Sequence, residues 1–354
     1  MEITMERKST KLINVGNLKM GDGDPILIQS MLNTKNGDVK SAIEQTKRLK
    51  EAGCDIVRLA VTDDDSVNVV RELKKAVDIP LVSDIQFDYR LAIESIKVGI
   101  DKVRINPGNI GSDERVKAVV KAAKERNIPI RIGVNTGSIH HSVLEKYKKV
   151  CPEALVGEAM RHVKVLNDND FDDIVISLKA SSVPLMIDTY RLISDKTCYP
   201  LHLGVTEAGT VYSGTVKSAV GLGTLLSEGI GDTIRVSLTA DPVEEIYAAK
   251  EILKSLELLK EGPTLVSCPT CARCTVDLIS IANEVTEKLK NVNKNIKVAV
   301  MGCVVNGPGE AKDADIGITG AKGEGLIFKK GEIIKKVPEG EIVSALFDEI
   351  SKLD

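Results

Sequence analysis

This 354-residue chain lacks any marked excess of basic charge: 48 Lys and Arg against 51 Asp and Glu leave a formal charge of -3 and a pI near 6.0. That balance excludes the broad positive field that nucleic acid or an anionic lipid surface requires. Long apolar runs are missing too. Residues Met1 to Asn17 alternate charged and apolar side chains, and no later segment has the length of a membrane span. Neither a signal peptide nor a membrane anchor is expected, and the protein reads as cytoplasmic. There is no low-complexity tract and no long linker. Seven cysteines, an odd number and mostly bunched, argue against a disulfide framework and for thiolate ligands in a reducing compartment. Cys54, Cys151 and Cys198 stand alone and read as ordinary buried thiols.

What is present is a repeated unit. Short Val/Ile/Leu-rich runs recur at Pro25–Ser30, Asp55–Ala60, Pro80–Asp84, Asp101–Ile105, Ile130–Val134, Asp173–Leu178, Leu201–Val205 and Thr233–Leu238, each followed by an amphipathic stretch. Strands without alternation are buried on both faces, and strand–helix–strand repetition implies parallel pairing through right-handed crossovers. Eight units close a TIM (β/α)8 barrel. Two helices illustrate the expected inner faces: Ala42, Ile43, Thr46 and Leu49 after the cap candidate Asp38, and Val216, Ala219, Val220 and Leu226 in the seventh unit. An internal echo supports the repeat, since Gly53-Cys54-Asp55-Ile56-Val57-Arg58 returns as Gly99-Ile100-Asp101-Lys102-Val103-Arg104 and partly as Asp232-Thr233-Ile234-Arg235. Glu261-Gly262-Pro263 reads as a hinge. The expected division is a barrel over 1–261 and a small α+β domain over 262–354, with helices at Thr275–Lys288 and Ile342–Lys352 and strands at Ile296–Met301, Asp315–Thr319 and Gly325–Phe328.

Cations sit inside several strands: Arg58, Arg104 and Arg131 between aliphatic neighbours, and Lys179 at the end of the sixth. If the aliphatics face the helices, these side chains point into the barrel near its C-terminal mouth. Burying them without acceptors would cost several kcal/mol each, so they demand carboxylates such as Asp84 or Glu207, or a bound anion. A phosphorylated substrate meets that demand, because guanidinium groups engage phosphate oxygens two at a time. Asn106, Asn135 and Ser237 add hydrogen-bonding groups at the same mouth, and Glu207 offers either a general acid or base or a helix N-terminal cap.

Two short loops hold the remaining cysteines: Ser267-Cys268-Pro269-Thr270-Cys271-Ala272-Arg273-Cys274 and Gly302-Cys303-Val304-Val305-Asn306-Gly307-Pro308-Gly309-Glu310. Thiolates at C-x2-C spacing plus a distant single Cys suit the corners of an iron–sulfur cluster. A structural zinc site shares that spacing, but no His lies nearby to complete it. The fourth ligand is open between Cys274 and Glu310. An exchangeable fourth ligand would leave one iron able to bind substrate.

The motifs Ile28-Gln29-Ser30-Met31, Gln86-Phe87-Asp88-Tyr89-Arg90, Arg104-Ile105-Asn106-Pro107-Gly108-Asn109, Gly133-Val134-Asn135 and Gly204-Val205-Thr206-Glu207-Ala208-Gly209, followed by the two Cys loops, run nearly end to end. In this order they resemble the 4-hydroxy-3-methylbut-2-enyl diphosphate synthase family of the non-mevalonate isoprenoid route. The resemblance implies reductive ring opening and dehydroxylation of 2-C-methyl-D-erythritol 2,4-cyclodiphosphate, with two electrons from ferredoxin or flavodoxin. It implies a 4Fe-4S cluster on Cys268, Cys271, Cys303 and Glu310, the Glu giving way to substrate oxygen. It places the diphosphate on Arg58, Arg104, Arg131 and Lys179, assisted by Asn106, Asn135 and Ser237, with Glu207 as acid or base near the leaving hydroxyl. It also implies a homodimer in which the cluster domain of one subunit caps the barrel of the other. The chain departs from the family at Ala272-Arg273-Cys274, where Gly-Arg-Thr is usual, which makes Cys274 a rival to Glu310. Glu310 is preferred because Cys274 is expected to begin the helix at Thr275. Other readings are a phosphosugar-binding barrel with a sensory metal module and a non-redox barrel enzyme with structural zinc.

Overall fold

The computed structural model describes residues 6–139, 143, 145, 147–304, 311–321 and 323–353. Two compact units emerge, Met1–Leu259 and Lys260–Asp354. In the first, a hairpin of β1 (Ile13–Val15) and β2 (Leu18–Met20) precedes eight parallel strands: β3 (Leu27–Met31), β4 (Ile56–Val61), β5 (Leu81–Ile85), β6 (Lys102–Ile105), β7 (Ile130–Asn135), β8 (Ile174–Lys179), β9 (His202–Leu203) and β10 (Thr233–Ile234). They pair in the order β8-β7-β6-β5-β4-β3-β10-β9. The β8–β9 seam is closed by a parallel bridge between Ile176 and Leu201, so the sheet forms the expected (β/α)8 barrel.

Two aliphatic clusters reveal which way each strand faces. Val57, Leu59, Leu81, Val103, Ile105, Ile130, Ile132, Ile174, Ile176 and Leu178 join the large core between strands and helices. Leu27, Ile56, Val82 and Val175 instead form a separate inner floor with Ile13, Val15 and Met20 of the hairpin, which plugs the N-terminal end. Alternation then sends Gln29, Arg58, Asp84, Lys102, Arg104, Arg131, Lys179, His202 and Arg235 into the barrel. The hairpin itself explains the charged–apolar alternation near the N-terminus, a period-two pattern of half-buried strands.

The repeated Gly-x-Asp has a structural cause. Gly53 and Gly99 turn the chain in left-handed conformations with φ of 93° and 92° after a helix. The aspartate that follows each then ties down the start of a neighbouring strand, the backbone N–H of Ile28 donating to Asp55 at 2.7 Å and that of Leu81 to Asp101 at 2.8 Å; Asp232, directly after Gly231, does the same for Leu201 at 2.9 Å. The echo therefore marks the stability face of the barrel.

Several expectations need correction. Asp38 does cap the helix Val39–Ala52, accepting from the Ser41 backbone at 3.0 Å. The helix Val211–Ser227, however, packs through Gly214, Ser218, Gly221, Leu222, Leu225 and Leu226, while Val216 and Val220 are 50% and 54% exposed. Small residues let this helix approach the barrel more closely than an aliphatic face would; Val205 and Met186 leave no room for a Cβ at Gly221. Of the lone cysteines only Cys54 is buried; Cys151 is half-buried and Cys198 exposed.

The second unit is a five-stranded sheet in the order β11-β12-β13-β14-β15, formed by Thr264–Ser267, Lys297–Met301, Ile316–Ala321, Glu324–Lys329 and Glu332–Pro338. The first three strands run parallel, and the last two add antiparallel ribbons. Helices Leu278–Leu289 and Ile342–Ser351 bury Leu278, Ile281, Val285, Ile342 and Leu346 against it. Sequence patterning omitted β11 and β15, the two edge strands, whose residues are mostly exposed or half-buried. The helix starts at Leu278 with Asp277 as its cap, so Cys274 lies in the preceding turn and not at the helix start.

Candidate active site

Inside the barrel the cations outnumber their acceptors. Asp84, 4% exposed, accepts from Arg104 Nη1 at 2.9 Å and stands 3.8 Å from Arg58 Nε. Gln86 also donates to it at 3.3 Å. The remaining hydrogen bonds of Arg58 go to a thioether: Nε and Nη2 lie 3.1 and 2.8 Å from Met31 Sδ, a weak acceptor. Glu245, reaching in from the helix Pro242–Ser255, is engaged by Arg235 at 3.1 and 3.2 Å, by Ser30 Oγ at 2.8 Å and by the Leu238 backbone. Arg131 is 1% exposed, and its Nε and Nη1 have no hydrogen-bond partner among the described residues.

Two glycines make this crowding possible. A Cβ on Gly133 would collide with the Arg104 guanidinium, and one on Gly204 would lie 2.7 Å from Lys179 Nζ. Both occupy inward positions, so their missing side chains are the space through which Arg104 and Lys179 cross the barrel.

The electrostatic consequence is mutual. Burial and then the charges of Arg235 and Arg104 push Arg58 down to about 10, against the pull of Asp84. Burial and the neighbouring arginines likewise drive Lys179 and Arg131 well below their ordinary values. Asp84 moves the other way: burial opposes ionisation, yet Arg58, Arg104 and Arg131 together hold its carboxyl below the usual range. Such a field disfavours its own cations until an anion enters, and so favours an anion strongly.

The sequence-derived residues fall as follows. Arg58, Arg104, Arg131 and Lys179 come together in the interior with Asp84. Asn106 is 2% exposed and caps the short helix Pro107–Ile110, its Oδ1 accepting from Gly108 N at 3.2 Å. Asn135 ends β7 in an exposed position, and Ser237 is half-buried beyond β10. Glu207 is exposed and adopts φ of 54°, a left-handed conformation uncommon outside glycine. The cap of the next helix is Thr210, so Glu207 is not its N-cap. Sequence reading missed Lys102, His202 and Glu245. The first could have been found from the i, i+2 rule, since Lys102 precedes Arg104 on the same strand face.

The second unit brings the two Cys loops together through sheet order. β11 and β12 are adjacent and parallel, with Ser267 beside Val300, so the loops that follow both strands leave the same edge. The Cys268 backbone donates to Val300 at 3.3 Å, the Thr275 backbone to Gly302 at 3.1 Å, and Gly302 N–H donates to Cys268 Sγ at 3.2 Å. Gly302 must be glycine, because a Cβ there would sit 2.7 Å from Cys274 Sγ. The Arg273 backbone and side chain hold the exposed Cys271 thiol below its ordinary value. Asn306 to Glu310, including the expected ligand Glu310, lie outside the described residues. Among the described residues no three His, Cys, Asp or Glu side chains converge on a single ion. Cys268, Cys271 and Cys303 in two neighbouring loops, with a backbone N–H aimed at one sulfur, suit a cluster, whose ligands sit on different irons.

Family models locate this architecture. The GcpE TIM-barrel domain matches residues 10–250, and the GcpE protein C-terminal domain matches residues 264–352. The chain belongs to the GcpE family. GcpE relatives of matching length include a 4-hydroxy-3-methylbut-2-en-1-yl diphosphate synthase (flavodoxin) of Clostridium acetobutylicum, 61% identical over 99% of this chain and 100% of the relative. The protein of that name from Ruminiclostridium cellulolyticum is 60% identical over the full length of both. Among solved structures, the dihydropteroate synthase of Yersinia pestis covers 71% of this chain and all of its own at a TM-score of 0.51 and 15% identity. That of Stenotrophomonas maltophilia gives a TM-score of 0.52 at 12% identity, covering 70% of this chain and 98% of its own. At such identities the likeness concerns the barrel fold alone.

Proposed function

We propose that this chain is the flavodoxin-dependent oxidoreductase that converts 2-C-methyl-D-erythritol 2,4-cyclodiphosphate into 4-hydroxy-3-methylbut-2-enyl diphosphate. The observation that carries the reading is the surplus of buried cations over carboxylates in a GcpE barrel, which a cyclic diphosphate would neutralise. Arg58, Arg104, Arg131 and Lys179 hold the diphosphate, with Asn106, Asn135 and Ser237 orienting the polyol. Asp84 fixes Arg104 and Arg58 in place before the anion arrives, so little side-chain reorganisation is needed on binding.

A 4Fe-4S cluster held by Cys268, Cys271, Cys303 and Glu310 would supply the two electrons, one at a time. The Gly302 N–H, donating to Cys268 Sγ at 3.2 Å, fixes where that sulfur points. Overall, the ring C–O bond breaks, a hydroxyl leaves as water, and a C–C double bond appears. Glu207, exposed on a left-handed turn at the mouth, delivers the proton with which the departing hydroxyl leaves as water. The cations meanwhile stabilise the phosphate oxygen freed on ring opening.

The working form is a homodimer. The exposed stripe of Tyr212, Val216 and Val220 on one barrel helix, 50–83% exposed, is suited to cover by a second copy. The protein works in a reducing compartment, the cytoplasm, in keeping with seven free cysteines; no described helix is long and apolar enough to cross a membrane. The test is anaerobic reconstitution with iron and sulfide, followed by turnover with the cyclic diphosphate and reduced flavodoxin. The linear diphosphate should form, and its absence with a fully loaded protein would refute the assignment.

A further inference from the structure

Below the arginine ring lies a second layer of polar side chains, which meets the ring at Arg131 and otherwise has no part in the proposed reaction. Lys102 Nζ, both amide atoms of Gln29, both ring nitrogens of His202, Thr233 Oγ1, and Nε and Nη1 of Arg131 have no hydrogen-bond partner among the described residues, and each of these side chains is at most 1% exposed. All belong to inward strand positions. Gln29 is two residues beyond the floor residue Leu27, Lys102 two before Arg104, His202 two before Gly204, and Thr233 two before Arg235. Its members lie in register with apolar residues that pack on the hairpin, Gln29 with Ile56, Lys102 with Val82, Arg131 with Val175 and Thr233 with Leu27. Its members share one field: burial and then the charges of Arg131 and Arg58 push Lys102 well below its ordinary value, and burial and then Arg131, Lys179 and Lys102 do the same to His202, so Lys102 stays an ammonium only with an anion beside it.

Donors exceed acceptors here. An ammonium, a guanidinium edge, an amide NH2, a hydroxyl and one imidazole N–H face only the Gln29 carbonyl oxygen, one imidazole nitrogen and the Thr233 oxygen. The two carboxylates nearby are already engaged, Asp84 by Arg104, Arg58 and Gln86, and Glu245 by Arg235, Ser30 and Leu238. Water offers as many donors as acceptors and brings no charge, so it closes neither deficit. A spherical anion accepts from every direction and brings one negative charge. Oxyanions of higher charge belong to the layer above, where the guanidinium groups present paired donors.

We propose that the middle of the barrel holds a small monovalent anion of the halide class, gripped by Lys102, His202 and the Nε and Nη1 atoms of Arg131 beneath the diphosphate. The anion keeps Lys102 and Arg131 from repelling one another at the bottom of the substrate site. The proposal needs no cluster and no redox step, so it stands or falls separately from the proposed reaction.

The test uses the full chain with pyrophosphate present to occupy the arginine ring. Crystals grown in bromide in place of chloride are measured at the bromine absorption edge. A buried anomalous peak within hydrogen-bond reach of Lys102 Nζ and Arg131 Nε is expected; a bromide confined to the ring above, or no peak in the barrel, overturns the proposal. In parallel, replacing gluconate by chloride at equal ionic strength should raise the thermal midpoint of the wild type by roughly 3 °C or more. Lys102→Met should remove that rise, and an equal rise in the variant overturns the assignment of Lys102. If the variant does not fold, the bromide map of the wild type decides.

Discussion

Asp84→Asn removes the carboxylate on which Arg58, Arg104 and Arg131 act together while keeping the side-chain shape. At an effective dielectric of about 20, unit charges roughly 3–4 Å apart attract by about 4–6 kcal/mol. The carboxylate's own desolvation penalty is relieved in the variant, which returns part of that loss. The net cost is about 3–5 kcal/mol, as expected when one partner is stripped from a buried ion pair. For a barrel of this size that corresponds to a fall in Tm of roughly 6–15 °C. The same logic fixes a second, opposite effect: with its internal acceptor gone, the cation cage should gain more stability from pyrophosphate than the wild type does. Thermal unfolding followed by circular dichroism, with and without pyrophosphate at fixed ionic strength, reads both quantities. A variant melting within about 1 °C of the wild type, or gaining no more than the wild type from pyrophosphate, would refute the picture of an acceptor-starved cage.

Other outcomes follow from particular contacts. Tyr190 is fully buried at the β8–β9 seam, where its hydroxyl accepts from Leu178 N at 2.9 Å and donates to the His202 carbonyl at 2.6 Å; Tyr190→Phe orphans both groups and should cost about 2–4 kcal/mol in urea unfolding. Despite burial, hydrogen bonds from His162 and Arg161 draw Glu158 down to about 2. Its stabilisation is therefore present above pH 4.5 and lost as pH falls towards 2, so the stability gap between wild type and Glu158→Gln should narrow across that window. Gly302→Ala forces a Cβ against Cys274 Sγ and should lower iron bound per chain after reconstitution, with the barrel's melting unchanged. Burial pushes the Cys54 thiol up to about 12, so iodoacetamide at pH 8 should label Cys198 in the native protein and leave Cys54 intact until denaturant is added.

The barrel was legible because its strands are buried on both faces and because Gly-x-Asp recurs at strand entries. β9 and β10 came out as two-residue ladders where longer strands were expected, since the Gly204 and Arg235–Ser237 segments leave regular pairing at the mouth. The arginines of the site could be read from sequence, as aliphatic neighbours pointing outward leave a cation no other direction. Lys102 and His202 obey the same alternation but sit deeper, where a charged residue has no obvious reason to be. Glu245 was invisible for a different reason: it lies on a helix and meets Ser30 across 215 residues, a contact that only closure of the barrel creates. The face of the helix Val211–Ser227 misled because valines at helical spacing suggest a core, whereas this helix buries glycine and serine and leaves Val216 and Val220 outside. In the second unit, the adjacency of the Cys loops depends on β11, an edge strand too exposed to show a hydrophobic pattern.

The most direct test of the account is an anaerobic crystal structure of the iron-loaded protein with 2-C-methyl-D-erythritol 2,4-cyclodiphosphate. The account predicts the diphosphate among Arg58, Arg104, Arg131 and Lys179, and a substrate oxygen in place of Glu310 on the fourth iron. A diphosphate bound elsewhere, or a cluster closed by Cys274 with substrate present, would contradict it.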